Sequence, residues 1–148
     1  MEGDPPIYGV FKRNGVEAIW EPYVDQVTKG KAEVKLMITY ASPVYVNSEF
    51  AGAIATDVGL DNLQEMVSKI KPVTGSYAYL VSNSGIIAGH PNKEFIFKKI
   101  ADAYPADEKK YQLTERIAKG EKFNYTIKDS SGREHLICYS PIVAGKVK

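Results

Sequence analysis

The chain has 148 residues, of which 44% are hydrophobic and 25% are charged, and its 19 basic and 18 acidic residues nearly cancel. This composition is that of a globular chain with enough apolar residues for one domain or two small ones. A net charge of +1 provides no basic surface for nucleic acid and no polybasic patch for a membrane. The single cysteine, Cys138, excludes an intrachain disulfide and a cysteine-based zinc site. The N-terminal segment has neither the basic nor the apolar region of a signal peptide.

The first part of the chain predicts about four antiparallel strands. Asn14-Gly15 is a strong hairpin signal, and Asn47-Ser48 predicts a second turn. Hydrophobic alternation places the strands at residues 7–12, 16–20, 34–45 and 50–56, with a loop at 21–31. The last strand, small and apolar, is predicted to be buried and to end at Asp57.

A helix is predicted directly after this strand, over residues 60–71. Its apolar residues recur at helical spacing, so one face should pack against the sheet. They are Leu60, Leu63, Met66, Val67 and Ile70. Gly59 stands at the N-terminal cap position, and Pro72 is expected to stop the helix.

The second part predicts two hairpins with helices between them. Asn83-Ser84-Gly85 is the turn of a hairpin between strands 77–81 and 86–89. Helical patterns follow at 95–103 and 107–119, separated by Pro105 and ended by Gly120. Strands 123–128 and 134–141 flank a turn at 129–132. The fold class is therefore α+β, with antiparallel sheets and flanking helices.

Several motifs, in order, also resemble one known family. Residues 20–25 read WEPYVD, residues 38–45 read ITYASPVY, and the strand before Asp57 ends GxxxTD. VGLDNLQEMVSKIKP and TGSYAYLVSNSGIIAGHP follow. Together, over residues 20–142, they resemble the double Cache sensor domains of bacterial and archaeal chemoreceptors and sensor histidine kinases.

The resemblance implies two stacked PAS-like modules. Residues 1–59 would be the later part of a membrane-distal module, 60–72 a connecting helix, and 73–148 a membrane-proximal module that lacks its last strand. It also implies an extracytoplasmic, ligand-sensing part of a membrane-anchored signalling protein, with a chemotaxis or two-component output. The alternative is a structural spacer or dimerisation module without a small-molecule ligand, and a homodimer is compatible with either.

The same resemblance assigns candidate ligand-binding residues. Asp57 corresponds to the acid that receives a ligand ammonium, a pairing that charge-assisted hydrogen bonds favour. The alternative is that Asp57 bonds the free N–H groups of the following helix. Tyr23 and Asp25 would hold the same amino group, or instead pin their own loop. Trp20 would form a pocket wall or fill the core.

One departure from the family pattern leaves the ligand class open. Amino-acid-binding members carry an arginine and a Trp-Tyr pair upstream, where this chain has Phe11-Lys12-Arg13-Asn14-Gly15. Of the ligand classes that the family suggests, which are an amine, an amino acid and a small carboxylate, an α-amino acid is therefore unsupported by these residues, while an amine, a small carboxylate or no ligand remain open. His90, His135 and Cys138 form no coherent catalytic or metal-binding pattern, so the sequence predicts no enzyme, no metal and no cofactor.

Overall fold

The computed structural model describes residues 17–24 and 36–142. The strands of the first part are β1 (Ala18–Ile19), β2 (Tyr23–Val24), β3 (Leu36–Val46) and β4 (Glu49–Gly59), followed by helix α1 (Leu60–Ser68). The second part contains β5 (Leu80–Val81), β6 (Ile87–Gly89), a 3-10 turn (Lys93–Phe95), α2 (Ile100–Ala103), α3 (Pro105–Tyr111), α4 (Leu113–Ala118), β7 (Phe123–Lys128) and β8 (Glu134–Tyr139). No helix in these ranges has the length and hydrophobicity needed to cross a membrane.

The first sheet is built around β3. It pairs with β4 along one side, while β1 and β2 pair with it, one after the other, along the opposite side. Asn47 and Ser48, with φ of 50° and 65°, form the predicted turn between β3 and β4. The prediction of a continuous loop over residues 21–31 is wrong for Tyr23–Val24, which form β2. The predicted strand at 7–12 lies outside the described residues.

Strand β4 differs from the prediction in both length and burial. It continues to Gly59, so Asp57 lies inside the strand and pairs with Thr39 in the ladder. Most of its side chains are exposed, and Ile54 retains 67% of its surface. The prediction of a buried strand fails because alanine and glycine side chains bury little area, and within the described residues only β3 pairs with β4.

Helix α1 starts after Gly59, as predicted, but ends at Ser68 rather than at Pro72. Leu60 and Val67 are buried, whereas Met66 and Ile70 of the predicted apolar face are exposed. The buried side of the helix packs on β6. A Cβ atom at Gly89 would stand 3.3 Å from Val67 Cγ2, so the close approach of helix and strand depends on glycine at this position.

A side chain of α1 also holds the end of β6. The His90 N–H donates to Gln64 Oε1 over 2.7 Å, and Gln64 Nε2 donates to the His90 carbonyl oxygen. Since α1 also contacts β3 and β4, it joins the two parts of the chain.

The second part encloses its own core. The buried members of the core come from β6, α2, α4 and β7: Ile87, Ile100, Leu113, Phe123 and Tyr125. The turn at residues 83–85 and the β7–β8 hairpin are as predicted, with Phe123 opposite Tyr139 and Lys128 opposite Glu134. The fold is thus α+β with antiparallel sheets, in agreement with the predicted class.

Four predicted elements of the second part need correction. The helix predicted over residues 95–103 is reduced to α2, because Phe97 has a left-handed φ of 68° and Lys99 pairs with Ile86 in an isolated β-bridge. The strand at 77–81 is shortened to Leu80–Val81, because the Tyr77 and Tyr79 rings pack around His90 instead. Pro105 occupies the first turn of α3 and so starts a helix rather than only ending one. The predicted helix at 107–119 is broken at Gln112, whose φ of 54° is left-handed.

Candidate functional site

Three side chains from three strands meet on one face of the first sheet. Thr39 Oγ1 donates a hydrogen bond to Asp57 Oδ1 over 2.6 Å. The Tyr23 hydroxyl lies 2.8 Å from Thr39 Oγ1 and 3.1 Å from Asp57 Oδ1. Since the threonine proton is committed to the carboxylate, the Tyr23 proton is shared between these two oxygens.

The register of the sheet creates this cluster. Thr39 is directly opposite Asp57 in the β3–β4 ladder, so their side chains stand on the same face. Tyr23 opposes Met37, two residues before Thr39, and its long side chain reaches along the strand to the threonine hydroxyl. Thr39 is 2% exposed, whereas Asp57 is exposed.

The hydrogen bonds leave one carboxylate oxygen of Asp57 open. Both donors converge on Oδ1, and Oδ2 has no hydrogen bond within the described residues. The neighbours on the same face of β4, Ala53 and Ala55, are small and exposed. The cluster therefore presents a fixed anionic oxygen on an accessible surface, which suits recognition of a cation such as an ammonium group.

The structure describes three of the predicted site residues, Trp20, Tyr23 and Asp57. Tyr23 and Asp57 are in contact, and Asp57 bonds Tyr23 and Thr39 rather than the start of α1, which has no side-chain cap. Trp20 is half-buried, and its backbone N–H donates to the Thr39 carbonyl oxygen over 2.8 Å. Asp25 lies outside the described residues, as do Lys12 and Arg13.

Sequence reasoning missed Thr39. Side chains alternate between the two faces along β3, so Thr39 lies on the same face as Met37 and Ala41. This is the buried face, although Thr39 is polar. Counting back from the Asn47-Ser48 turn does not pair Thr39 with Asp57 unless the register shift between Val44 and Tyr45 is included. The sequence does not show this bulge, so the pairing could not be predicted.

A groove of about 530 Å³ lies elsewhere, between α3 and the β7–β8 hairpin. Its charged groups are already paired or stacked. Lys128 lies 3.5 Å from Glu134, Asp107 accepts a hydrogen bond from Tyr125, and Lys110 stands over the Tyr111 ring. The lining of this groove therefore carries charges of both signs, from Asp107 and Glu134 and from Lys110 and Lys128.

The histidines do not add a metal-binding or catalytic centre. Across residues 17–24 and 36–142, no three His, Cys, Asp or Glu side chains are grouped to hold a metal ion. His90 is buried among aromatic rings, and His135 bonds Asp129 in the β7–β8 turn. The hydrogen bond from His135, together with those from Ser131 and Arg133, holds the pKa of Asp129 well below its usual range.

Comparison with known proteins assigns the chain to a family. The family model for the Cache domain (dCache_1) matches residues 2–145. The methyl-accepting chemotaxis protein PscA of Pseudomonas syringae pv. tomato is 30% identical over 124 residues, covering 84% of this chain and 17% of that protein. The chain thus spans about a fifth of the curated relatives it matches.

Solved structures agree with this assignment. The extracellular domain of the histidine kinase candidate mmHK1S-Z2 is 32% identical, with a TM-score of 0.70, and the match covers 90% of this chain and 49% of that domain. The ligand-binding domain of Mlp24 with asparagine is 28% identical, with a TM-score of 0.57 and coverage of 89% and 48%.

The chain belongs to the Cache domain family. Its class is the ligand-binding, extracellular sensor domain of chemoreceptors and histidine kinases, which is not a catalytic class. The resemblance seen in the sequence motifs is confirmed.

Proposed function

We propose that the chain senses a small molecule carrying an ammonium group, an amine or amino acid, at the face formed by Tyr23, Thr39 and Asp57. The observation that carries this proposal is the exposed Asp57 carboxylate, which two donors orient through Oδ1 and whose Oδ2 has no hydrogen bond among the described residues. The asparagine in the Mlp24 structure supports the amino-acid class. Trp20 and Asp25 complete the proposed site as a wall and a second acid.

The whole protein, in this proposal, is a membrane-anchored receptor with a chemotaxis or kinase output. Ligand binding would favour one of two conformations of the domain, and the shift would be limited by the difference in ligand affinity between them. The output passes across the membrane from the second part of the chain.

The modules are also part of the proposal. Residues 1–59 form the later part of a distal module, 60–72 the connection and 73–148 a proximal module that lacks its last strand. Helix α1, which contacts both sheets, supports the connecting role. Within the described residues, the strands of the second part form two two-stranded sheets, β5–β6 and β7–β8, and the Tyr79 and Tyr139 hydroxyls are hydrogen-bonded to each other between them.

A second candidate function is a spacer or dimerisation module. Exposed apolar side chains on the other face of the first sheet, Ile19, Tyr40 and Ile54, favour it, because such surfaces often contact a partner.

A thermal-shift screen of the full chain against L-amino acids, amines and small carboxylates tests the proposal. A ligand at a hundredfold excess over its dissociation constant adds ~2.7 kcal/mol to the free energy of unfolding. Asp57→Asn keeps the size of the side chain but removes its charge, so we expect affinity for an ammonium ligand to fall about tenfold or more.

Asp61→Asn is the matched control, because Asp61 is an exposed acid in the first turn of α1. The control should bind like the wild type. If no ammonium compound stabilises a well-folded chain, and the chain dimerises with rising concentration, the spacer function replaces the sensor function.

A further inference from the structure

A second contact joins the two parts of the chain, next to the proposed ligand site. The Glu21 carboxylate accepts two hydrogen bonds from Ser84, one from its N–H over 3.1 Å and one from its hydroxyl over 2.7 Å. The two residues are 63 positions apart, and Ser84 lies in the turn between β5 and β6. Both carboxylate oxygens of Glu21 are therefore used by a single residue of the second part.

Glu21 belongs to the segment that carries Tyr23. This segment, residues 20–23, connects β1 to β2. Ile19 at the end of β1 lies opposite Tyr40, and Tyr23 at the start of β2 lies opposite Met37. Between the two strands, the Trp20 backbone N–H donates to the Thr39 carbonyl oxygen. Pro22, between Glu21 and Tyr23, is buried and fixes the backbone. Because Tyr23 follows Glu21 by two residues, a shift of Glu21 moves the hydroxyl that orients Asp57.

The turn that holds Glu21 is stable without this contact. Gly85 N–H donates to the Ser82 carbonyl oxygen over 3.0 Å, and Ile86 N–H donates to Ser82 Oγ over 3.0 Å. The Ser84 hydroxyl donates to Glu21 over 2.7 Å, and its contact within its own turn, with Ser82 Oγ, is longer at 3.3 Å. Its loss should leave the hairpin in place while releasing the segment that carries Tyr23.

We propose that Ser84 and Glu21 are positioning residues for the ligand site, so that the second part of the chain sets the geometry of a site built on the first sheet. The effect on ligand affinity rests on the proposed function. If the site binds ligand more tightly when the Ser84–Glu21 contact is formed, ligand binding in turn strengthens that contact, because such coupling is reciprocal. The contact would then be a route by which ligand binding reaches the second part of the chain.

Nuclear magnetic resonance of the full chain tests this inference without needing a ligand. Ser84→Ala should accelerate hydrogen exchange at the Trp20 amide about fivefold, the effect of losing one ordinary exposed hydrogen bond while the Ser84 N–H still donates to Glu21. Ser84→Thr keeps a hydroxyl and should restore slow exchange. Ser131→Ala, in which an exposed turn serine loses its bond to Asp129, is the matched control and should leave Trp20 unchanged.

Calorimetric titration with L-asparagine gives the second readout. In Ser84→Ala its dissociation constant should rise about fivefold, as for one weakened contact. The inference is overturned if Ser84→Ala and Ser131→Ala give the same Trp20 exchange. Faster exchange in Ser84→Ala than in Ser131→Ala supports the positioning role whether or not L-asparagine binds. Failure of L-asparagine to bind the wild type counts only against the proposed function.

Discussion

Thr39 shows how one buried hydroxyl can organise a site at the scale of a residue. Valine has the same shape and would also suit this buried strand position, but only threonine has the hydroxyl that donates a hydrogen bond to Asp57. A buried hydroxyl must be paired or it costs free energy, so its burial enforces the hydrogen bond. The bonds from Thr39 and Tyr23 both end on Oδ1, Oδ2 has no partner in residues 17–24 and 36–142, and the recognition chemistry of the face follows from this arrangement.

His90 is the second residue whose burial has a testable consequence. Its ring lies 4.9 Å from the Phe95 centroid, and Nε2 is 2.7 Å from the Tyr104 hydroxyl. Nδ1 lies 2.9 Å from the Asn92 backbone nitrogen and 3.1 Å from the Asn92 carbonyl oxygen, so both ring nitrogens are in contact with polar partners. Burial lowers the pKa of His90 and outweighs the Asn92 carbonyl oxygen, which alone would raise that pKa.

We therefore predict that acid weakens the second part of the chain. The unfolded state takes up a proton near the ordinary histidine pKa of 6.5, while the folded state resists it. The contribution to the free energy of unfolding is complete above that value and is lost as the pH falls from it towards the lowered folded pKa. Urea melts between pH 7.5 and pH 5 check this.

His90→Gln should flatten that dependence, although it lowers stability at all pH values by disturbing the packing. The exposed His135→Gln should preserve the dependence. An equal loss of stability on acidification in His90→Gln and the wild type would contradict the assignment to His90.

At the scale of elements, the sequence predicted what local patterns determine. The β7–β8 hairpin was predictable because strict alternation flanks a turn in which Asp129 Oδ1 bonds the N–H groups of Ser131 and Arg133. The break at Gln112 was not, since glutamine carries no left-handed preference. The backbone N–H of Thr114, at the start of α4, is left without a helical partner by this break and instead donates to the Glu108 carboxylate.

The candidate site was predictable only in part, for a similar reason. Asp57 and Tyr23 stand in motifs that resemble a family, so they could be proposed from sequence. Thr39 depends on a register that includes a bulge, and the Glu21–Ser84 contact spans two separate sheets. Neither leaves a local signal, because both follow from how distant segments pack.

The turn between β5 and β6 allows a prediction about its glycine. Gly85 has a φ of 83°, and a Cβ atom there would stand 3.3 Å from Ile100 Cγ2 in the core. Gly132, in the β7–β8 turn, has a φ of 82° with nothing within 4 Å of that position. The pair separates backbone strain from crowding.

Gly132→Ala should therefore lower the free energy of unfolding by about 1 kcal/mol through backbone strain alone. Gly85→Ala should lower it by about 1 kcal/mol more, because Ile100 is fully buried and must shift. Urea denaturation of both variants measures the difference. Equal losses would mean that the Gly85 turn moves away from α2 without cost.

At the scale of the whole molecule, two contacts connect the sheet that carries the site to the second part. Gln64 of α1 holds the backbone of His90, and Glu21 holds the β5–β6 turn. The two contacts reach opposite ends of β6. A ligand that fixes the Tyr23 segment would thus act on one end of β6 while α1 holds the other, and this arrangement suits a domain that transmits a binding event.

Calorimetry of one ligand pair shows whether Asp57 receives a ligand ammonium. The L-amino acid or amine that binds the full chain most tightly is compared with its N-acetyl derivative, which has no ammonium charge. Loss of the charge-assisted bond should weaken binding about tenfold or more in the wild type and have much less effect in Asp57→Asn. An N-acetyl derivative that binds the wild type as tightly as its parent would contradict the claim.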